Sequence, residues 1–398
     1  MNGTLNGLQG AELPVAAAAN GVELIVEHDT EYTYSTQVAF AQHIAHLTPL
    51  SAPGQWLREF ALVIEPAPTL RHTGTDTFGN ARTYFSLNVA HEGLRVQTRS
   101  RVRLAPRYED LDARLSPPWE NVRDALQYVA GAPFTPATEF VFSSAFVPYD
   151  TALRDYAQVS FGPRQTVLAG ALDLMHRIHA DFRYAAGSTD VATPVREAFA
   201  ARAGVCQDFT HVMIGGLRAL GLPARYVSGY LFTHPARADH ADDASFAERS
   251  AIVAPGSHPS QSQSEPPSQA QPASQSQSQS QSQSAYEFPS GSQSQAASHP
   301  QSESQPQYHS RSAEAGLAPA PLVGADASHA WVSVYCPRFG WVELDPTNDM
   351  VPGTGHVRLA VGRDYGDVAP LRGVVQGGGE HHLRVAVRVV AAAPSATT

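Results

Sequence analysis

The Ser/Gln-rich stretch over residues 237–321 dictates how the rest of the chain must be assembled. Residues 274–284 are a strict alternation of Ser and Gln, flanked by more Ser, Gln, Pro and Ala. Such a segment has too little apolar surface to offset the entropy of ordering it, so it is expected to be disordered. A tolerated surface-loop expansion is the simpler account of it, and a partner-binding tether the other. Any folded core must therefore be built from residues on both sides of this insert.

The N-terminal side opens with a small, Ala-rich stretch over residues 1–20, read as a flexible tail. From Val22 the pattern alternates: Val22, Leu24 and Val26 face one way, Glu23 and Glu27 the other. Further strands are expected over residues 58–64 and 84–89, the latter after the turn Asp76-Thr77-Phe78-Gly79-Asn80. Over residues 94–104, Leu94, Val96, Val102 and Leu104 alternate with Arg95, Arg99, Arg101 and Arg103. These segments predict an antiparallel β-rich region over residues 21–106 with one solvated face.

From Pro117 the period becomes helical. Helices are expected over residues 119–129, 151–159, 165–182, 193–199 and 206–220. The last has an inward stripe of Cys206, Phe209, Met213, Leu217 and Leu220, and Gly221 and Pro223 end it. Residues 224–231 read as a buried strand. Residues 107–236 thus form a helical part and the cysteine-bearing half of a core. Residues 322–392 form its second half: strands over 329–335 and 340–345 around the turn Cys336-Pro337-Arg338-Phe339, a loop with a short strand over 353–366, and a last strand over 382–390. Residues 393–398 are a tail.

Composition narrows the function. Lys and Arg total 27 against 37 Asp and Glu, a net charge of -10, which argues against a general nucleic-acid binder. Two cysteines in 398 residues make no disulfide framework and suit a reducing compartment. With no signal-peptide pattern and no stretch of membrane-spanning length, a cytoplasmic location without a membrane partner is expected.

One cysteine has the setting of a nucleophile. Cys206 falls at the first turn of a helix, where free N–H groups and the helix dipole favour negative charge. A thiolate needs a base to take its proton, and the base needs a group to orient it. His329 and Asp345 supply both on one hairpin. Centred on Pro337, that hairpin sets them directly opposite or diagonal on one face, with Trp331, Ser333 and Tyr335.

The competing residues fit less well. Five residues along the helix from Cys206, His211 is rotated by about 500° and points away. Asp208 suits a first-turn helix charge, and Asp349 is the weaker acid candidate beyond Pro346. Cys336 reads as a small buried hydrophobe. His176 and His179 share a helix, yet with no partner motif nearby they read as surface histidines. The cysteine spacing matches no zinc motif, and no Asp-x-Asp-x-Asp-Gly calcium loop is present.

Gly-Val-Cys206-Gln-Asp-Phe-Thr-His, Leu-Gly-Leu-Pro-Ala-Arg-Tyr-Val-Ser-Gly-Tyr230, Ala-Ser-His329-Ala-Trp-Val and Leu-Asp345-Pro-Thr-Asn closely resemble the bacterial transglutaminase-like proteins. So does Gly362-Arg363-Asp364-Tyr365. Tyr32-Thr33-Tyr34, Leu47-Thr48-Pro49 and the Asp76–Asn80 turn resemble the β-rich region that precedes this domain. The resemblance spans all but the tails and the insert. It implies an α+β chain with a papain-like transglutaminase core, in which a cysteine-bearing helix packs on an antiparallel sheet carrying His and Asp.

By that likeness Cys206 is the nucleophile, His329 the general base and acid, and Asp345 the orienting acid. The Cys206 N–H would bind the oxyanion, with Gln207 and Trp331 as candidate oxyanion or cleft support. The implied substrate is a peptide or other amide, and no cofactor is required. Hydrolysis as a peptidase or amidase is expected ahead of protein-glutamine cross-linking, and the rival from another class is a non-catalytic binding module on the same fold.

Overall fold

In a computed structural model, the described residues are 21–131, 135–232, 322–323 and 328–392. The expected disordered insert over 237–321 and both tails, 1–20 and 393–398, lie outside them.

The N-terminal sheet is organised on one long strand. β1 (Val22–Ala45) runs for 24 residues, well beyond the expected stretch, and its buried positions change from even-numbered to odd-numbered between Val38 and Ala41, where its register against a later strand shifts. A register shift between Thr33 and Val38 divides it. The first part pairs with β5 (His91–Leu104), as in Leu24 opposite Val102, and the second with β4 (Ala81–Leu87). β2 (Gln55–Glu65) flanks β5, and β3 (Leu70–Thr75) flanks β4. The hydrophilic, mostly exposed sequence of β3 gave no apolar alternation to read.

On the solvated face, Arg95 binds Asp29, and Arg101 lies 3.8 Å from Glu23. On the inner face Leu24, Val26, Val102 and Leu104 pack on Tyr230, Val357 and Leu359 of the second sheet. Burial against that sheet accounts for the one-sided pattern at this end, whereas Leu94, Val96, Val38 and Ala41 pack with Ile64, Phe85 and Leu87 in a core of the N-terminal sheet's own.

After this sheet come α1 (Trp119–Ala125), α2 (Thr151–Gln158) and α3 (Val167–Asp181). The short strand β6 (Arg183–Tyr184) then leads through α4 (Val195–Ala201) to its parallel partner β7 (Ala203–Gly204). α5 (Cys206–Ala219) follows directly. Its burial is not confined to the expected stripe: every residue from Gln207 to Arg218 is buried, because α2, α3 and α4 enclose the faces the sheet leaves free. Gly216 permits part of that closeness, since a Cβ there would lie 2.8 Å from Ala157 Cβ on α2.

The second sheet is antiparallel, in the order β10 (Gly340–Leu344), β9 (His329–Cys336), β8 (Ala224–Leu231), β11 (His356–Gly362). β11 is more than the expected short strand in a loop. All seven of its residues are buried, and its His356 and Arg358 hide the apolar alternation. Among the described residues no strand pairs with its outer edge, which is closed by two amides from the N-terminal region. Asn80 donates to Val361 O at 2.7 Å and accepts from Val361 N at 2.8 Å. Gln55 does the same for Arg358, at 2.7 and 2.8 Å. Each side chain imitates a strand's peptide group on an otherwise open edge.

The C-terminal boundary needs correction. After a short helical turn, α6 (Tyr365–Val368), strands β12 (Leu371–Gly377) and β13 (His381–Ala391) pair with β1, not with the His/Asp-bearing sheet. Residues 371–391 thus complete the N-terminal sheet. A strand's alternation shows which face is buried but not which sheet it joins.

Candidate active site

Cys206 begins α5 because the chain is stopped and turned just before it. Asp208 accepts the Val205 N–H at 2.8 Å and the Thr189 hydroxyl at 2.7 Å, capping the helix from within its first turn. Gly204 is needed for this turn: a Cβ there would lie 2.4 Å from Asp208 Oδ2. Asp208 is therefore the expected first-turn charge. At the first helical position the Cys206 N–H has no intrahelical acceptor. Its thiol is partly exposed, whereas Cys336 is fully buried and burial pushes its thiol up.

The hairpin of β9 and β10 brings His329 and Asp345 together. Trp341 pairs with Tyr335 and Leu344 with Val332, so the register centres on Arg338, one residue later than expected. His329 and Asp345 are diagonal on one face, and His329 Nε2 lies 2.9 Å from Asp345 Oδ2. Both side chains are fully buried.

Asp345 stands just beyond the last ladder pair and is held by the loop that follows. The Thr347 and Asn348 N–H groups donate to Oδ1 at 2.9 and 3.2 Å, and the Asn348 amide to Oδ2 at 2.9 Å. A second histidine, His356 on β11, reaches Oδ2 at 3.2 Å. Two backbone hydrogen bonds between Asp345 and Met350 close the loop.

Electrostatics follow from this packing. Burial would raise the Asp345 carboxyl, but the charge of His329 and the hydrogen bonds of both histidines outweigh it and hold the carboxyl far below the usual range. Burial likewise opposes charge on His329. The Asp345 carboxylate overcomes it, helped by a hydrogen bond to Cys206, and pushes the imidazole up to about 10. With Nε2 committed to Asp345, Nδ1 has no hydrogen-bond partner among the described residues and is the nitrogen left available to the thiol.

Below this pair lies a charged layer that sequence patterning did not reveal. Trp331 is fully buried and its ring stacks beside His329, with centroids 6.0 Å apart. Its indole donates to Glu343 at 3.0 Å, and Glu343 also meets Arg107 at 3.3 Å and Arg358 at 3.4 Å. Trp331 therefore cannot serve as an oxyanion donor or cleft wall, as its N–H is spent inside the core. It supports His329 from beneath. The Gln207 amide donates to Val191 O at 3.2 Å, which ties it to the loop before α4.

His211 is set apart, as its helical phase implies. It accepts from the Tyr365 N–H at 3.2 Å, and burial, ahead of any charge, lowers its pKa to about 4. Among the described residues no group of three or more His, Cys, Asp or Glu side chains could hold a metal. Nor is any described helix long and apolar enough to cross a membrane.

A cysteine at a helix start, facing a buried histidine on an antiparallel sheet, places the chain among transglutaminase-like folds. Residues 24–103 match the bacterial transglutaminase-like N-terminal region, and residues 154–346 match the transglutaminase-like superfamily. The chain belongs to the bacterial transglutaminase-like family. An uncharacterized protein of Mycobacterium tuberculosis (strain H37Rv) is 32% identical over 372 residues, covering 92% of this chain and 91% of its own. One from Mycobacterium leprae is 26% identical, covering 92% of this chain and 97% of its own. A proposed cysteine protease from Cytophaga hutchinsonii shares the fold, with a TM-score of 0.58 at 18% identity over 95% of this chain and 93% of that one.

Proposed function

We propose that this chain is a cysteine hydrolase of peptide or other amide bonds, working through Cys206, His329 and Asp345. The observation that carries the reading is the buried 2.9 Å contact between His329 and Asp345, which leaves the other imidazole nitrogen free for the Cys206 thiol that also bears on the ring. Asp345 holds the ring and favours its charged form, so a proton moved from the thiol to Nδ1 is retained. The thiolate attacks the amide carbonyl, and the Cys206 N–H is the nearest donor for the oxyanion. His329 then gives its proton to the departing amine, leaving a thioester on Cys206. Water, deprotonated by His329, releases the acid and restores the thiol.

Hydrolysis is favoured over transfer to a second amine, in keeping with the proposed cysteine protease that shares this fold. Two free cysteines suit a reducing compartment, and the cytoplasm is the proposed location. The reading is tested by mass spectrometry of peptide mixtures incubated with the full chain and a primary amine. Cleaved or deamidated peptides, absent with Cys206→Ala, are expected. Amine adducts in their place would make the chain a cross-linking enzyme, and no product of either kind would favour a binding module.

A further inference from the structure

The second histidine on Asp345 has no part in the chemistry above, yet its setting is specific. His356 is 1% exposed, and its ring stands edge-on to Trp331 with centroids 5.3 Å apart. Its Nε2 reaches the same carboxylate oxygen that His329 and the Asn348 amide engage. An ionised carboxylate only accepts, so Nε2 carries the hydrogen and Nδ1 is a bare acceptor in the neutral ring. No described donor meets that Nδ1. A phenylalanine or leucine would fill this space without burying an unmet acceptor. The imidazole is therefore present for what its other nitrogen does.

We propose that His356 is a positioning residue for the Cys206–His329 pair, fixing the Asp345 carboxylate in the orientation that His329 needs. Thr347 and Asn348 N–H groups hold Oδ1, and the Asn348 amide and His356 close on Oδ2 from two directions. Oδ2 is then pinned at the hydrogen-bonding distance from His329, and its negative charge is divided between two rings. The charged groups that face His356 are Asp345, His329 and Arg107. Burial comes first, and the His329 and Arg107 charges add to it, in keeping the His356 ring neutral beside the carboxylate.

This inference rests on the hydrolase reading, and its test separates the two. The full chain labelled with 15N-histidine reports the titration of His329 by NMR, in the unmodified protein and in His356→Phe and His356→Gln. In His356→Phe the whole Asp345 charge falls on His329, and its midpoint should rise by about one pH unit, a tenfold change worth one charge-assisted hydrogen bond. His356→Gln keeps an N–H toward Asp345 and should restore the midpoint. Equal His329 midpoints in all three folded proteins would overturn the proposal.

If His356→Phe does not fold, the unmodified chain still decides. A neutral His356 protonated at Nε2 at pH 7 is expected, whereas an imidazolium or an Nδ1–H tautomer contradicts the proposal. His329→Ala serves as the control for the underlying reading. If it leaves the reactivity of Cys206 unchanged, the hydrolase mechanism fails; if it alters that reactivity while His356→Phe moves nothing, only the role of His356 fails.

Discussion

His179 Nδ1 donates to the Thr347 carbonyl at 2.9 Å, and by that bond α3 holds the loop that carries Asp345. One turn away, His176 pairs with Asp349, whose backbone is left-handed at φ 52. The two histidines are surface residues, as their isolation in sequence suggests, but they clamp the loop on which the buried carboxylate depends. His179→Ala should cost about 1 kcal/mol of stability, the worth of one partly exposed hydrogen bond. Hydrolysis should fall by about fivefold because the loop loses a fixed point. Thermal melts and steady-state kinetics on the same protein would check both.

The edge of β11 makes a larger prediction. Asn80→Ala removes both partners of Val361, leaving a buried N–H and a buried C=O unmet. A loss of roughly 2–4 kcal/mol is expected, read as a lower denaturant midpoint. Asn80→Asp should fare little better, since a carboxylate accepts from Val361 N but cannot donate to Val361 O.

Glu343 should be intolerant of neutralisation. Arg107 and Arg358 both meet its carboxylate in the core, and Trp331 donates to it. Glu343→Leu leaves two buried guanidinium groups without their counter-charge, at a cost of roughly 3–5 kcal/mol. Trp331→Phe keeps both ion pairs and loses the indole N–H and part of the ring volume, so it should be milder, costing about 2 kcal/mol. Chemical denaturation distinguishes the two.

Stability should peak near neutral pH, with slopes set by different histidines. Burial lowers His28, His43 and His211 to about 4, from an ordinary value of 6.5. Between pH 6.5 and 4 the unfolded chain binds protons at these sites that the folded chain refuses, so stability falls as pH drops through that window. The loss is at most about 1.4 kcal/mol per histidine per pH unit.

His329 has the opposite sign. Burial opposes its charge, but Asp345 and Cys206 raise the imidazole to about 10, so its contribution is complete below pH 6.5 and is lost as pH climbs toward 10. In His329→Ala the alkaline slope should flatten while the acid slope stays. Melting temperatures across pH 4 to 10 would show it.

Much of this fold was legible because burial writes a period into sequence. The alternation over residues 94–104 and the helical stripe from Cys206 to Leu217 identify their elements directly, since one face of each meets a core. His329 and Asp345 were legible for another reason: a hairpin fixes the distance between residues on its two strands. Its centre lies at Arg338 and not at the expected Pro337, without harm, because the resulting two-residue shift keeps the same face.

The residues that escaped notice are those whose partners are remote in sequence. Arg358 looks like a solvated charge until Glu343 and the Pro53 carbonyl are set beside it, and His356 breaks the apolar run it belongs to. Asn348 was visible only as part of a motif, with no sign that its amide would serve Asp345. β13 has a clear two-residue pattern, but nothing local tells it to return to β1.

The central claim is that His329, charged and held by Asp345, activates Cys206. The most direct test is the rate at which iodoacetamide modifies Cys206 from pH 5 to pH 9, followed by peptide mass spectrometry in the native chain and in His329→Ala. The account predicts rapid labelling of Cys206 already at pH 6, with Cys336 untouched, and a loss of that acid-side reactivity in His329→Ala. Labelling of Cys206 that simply rises with pH around the ordinary thiol value of about 8.5, and does so equally in both proteins, would contradict it.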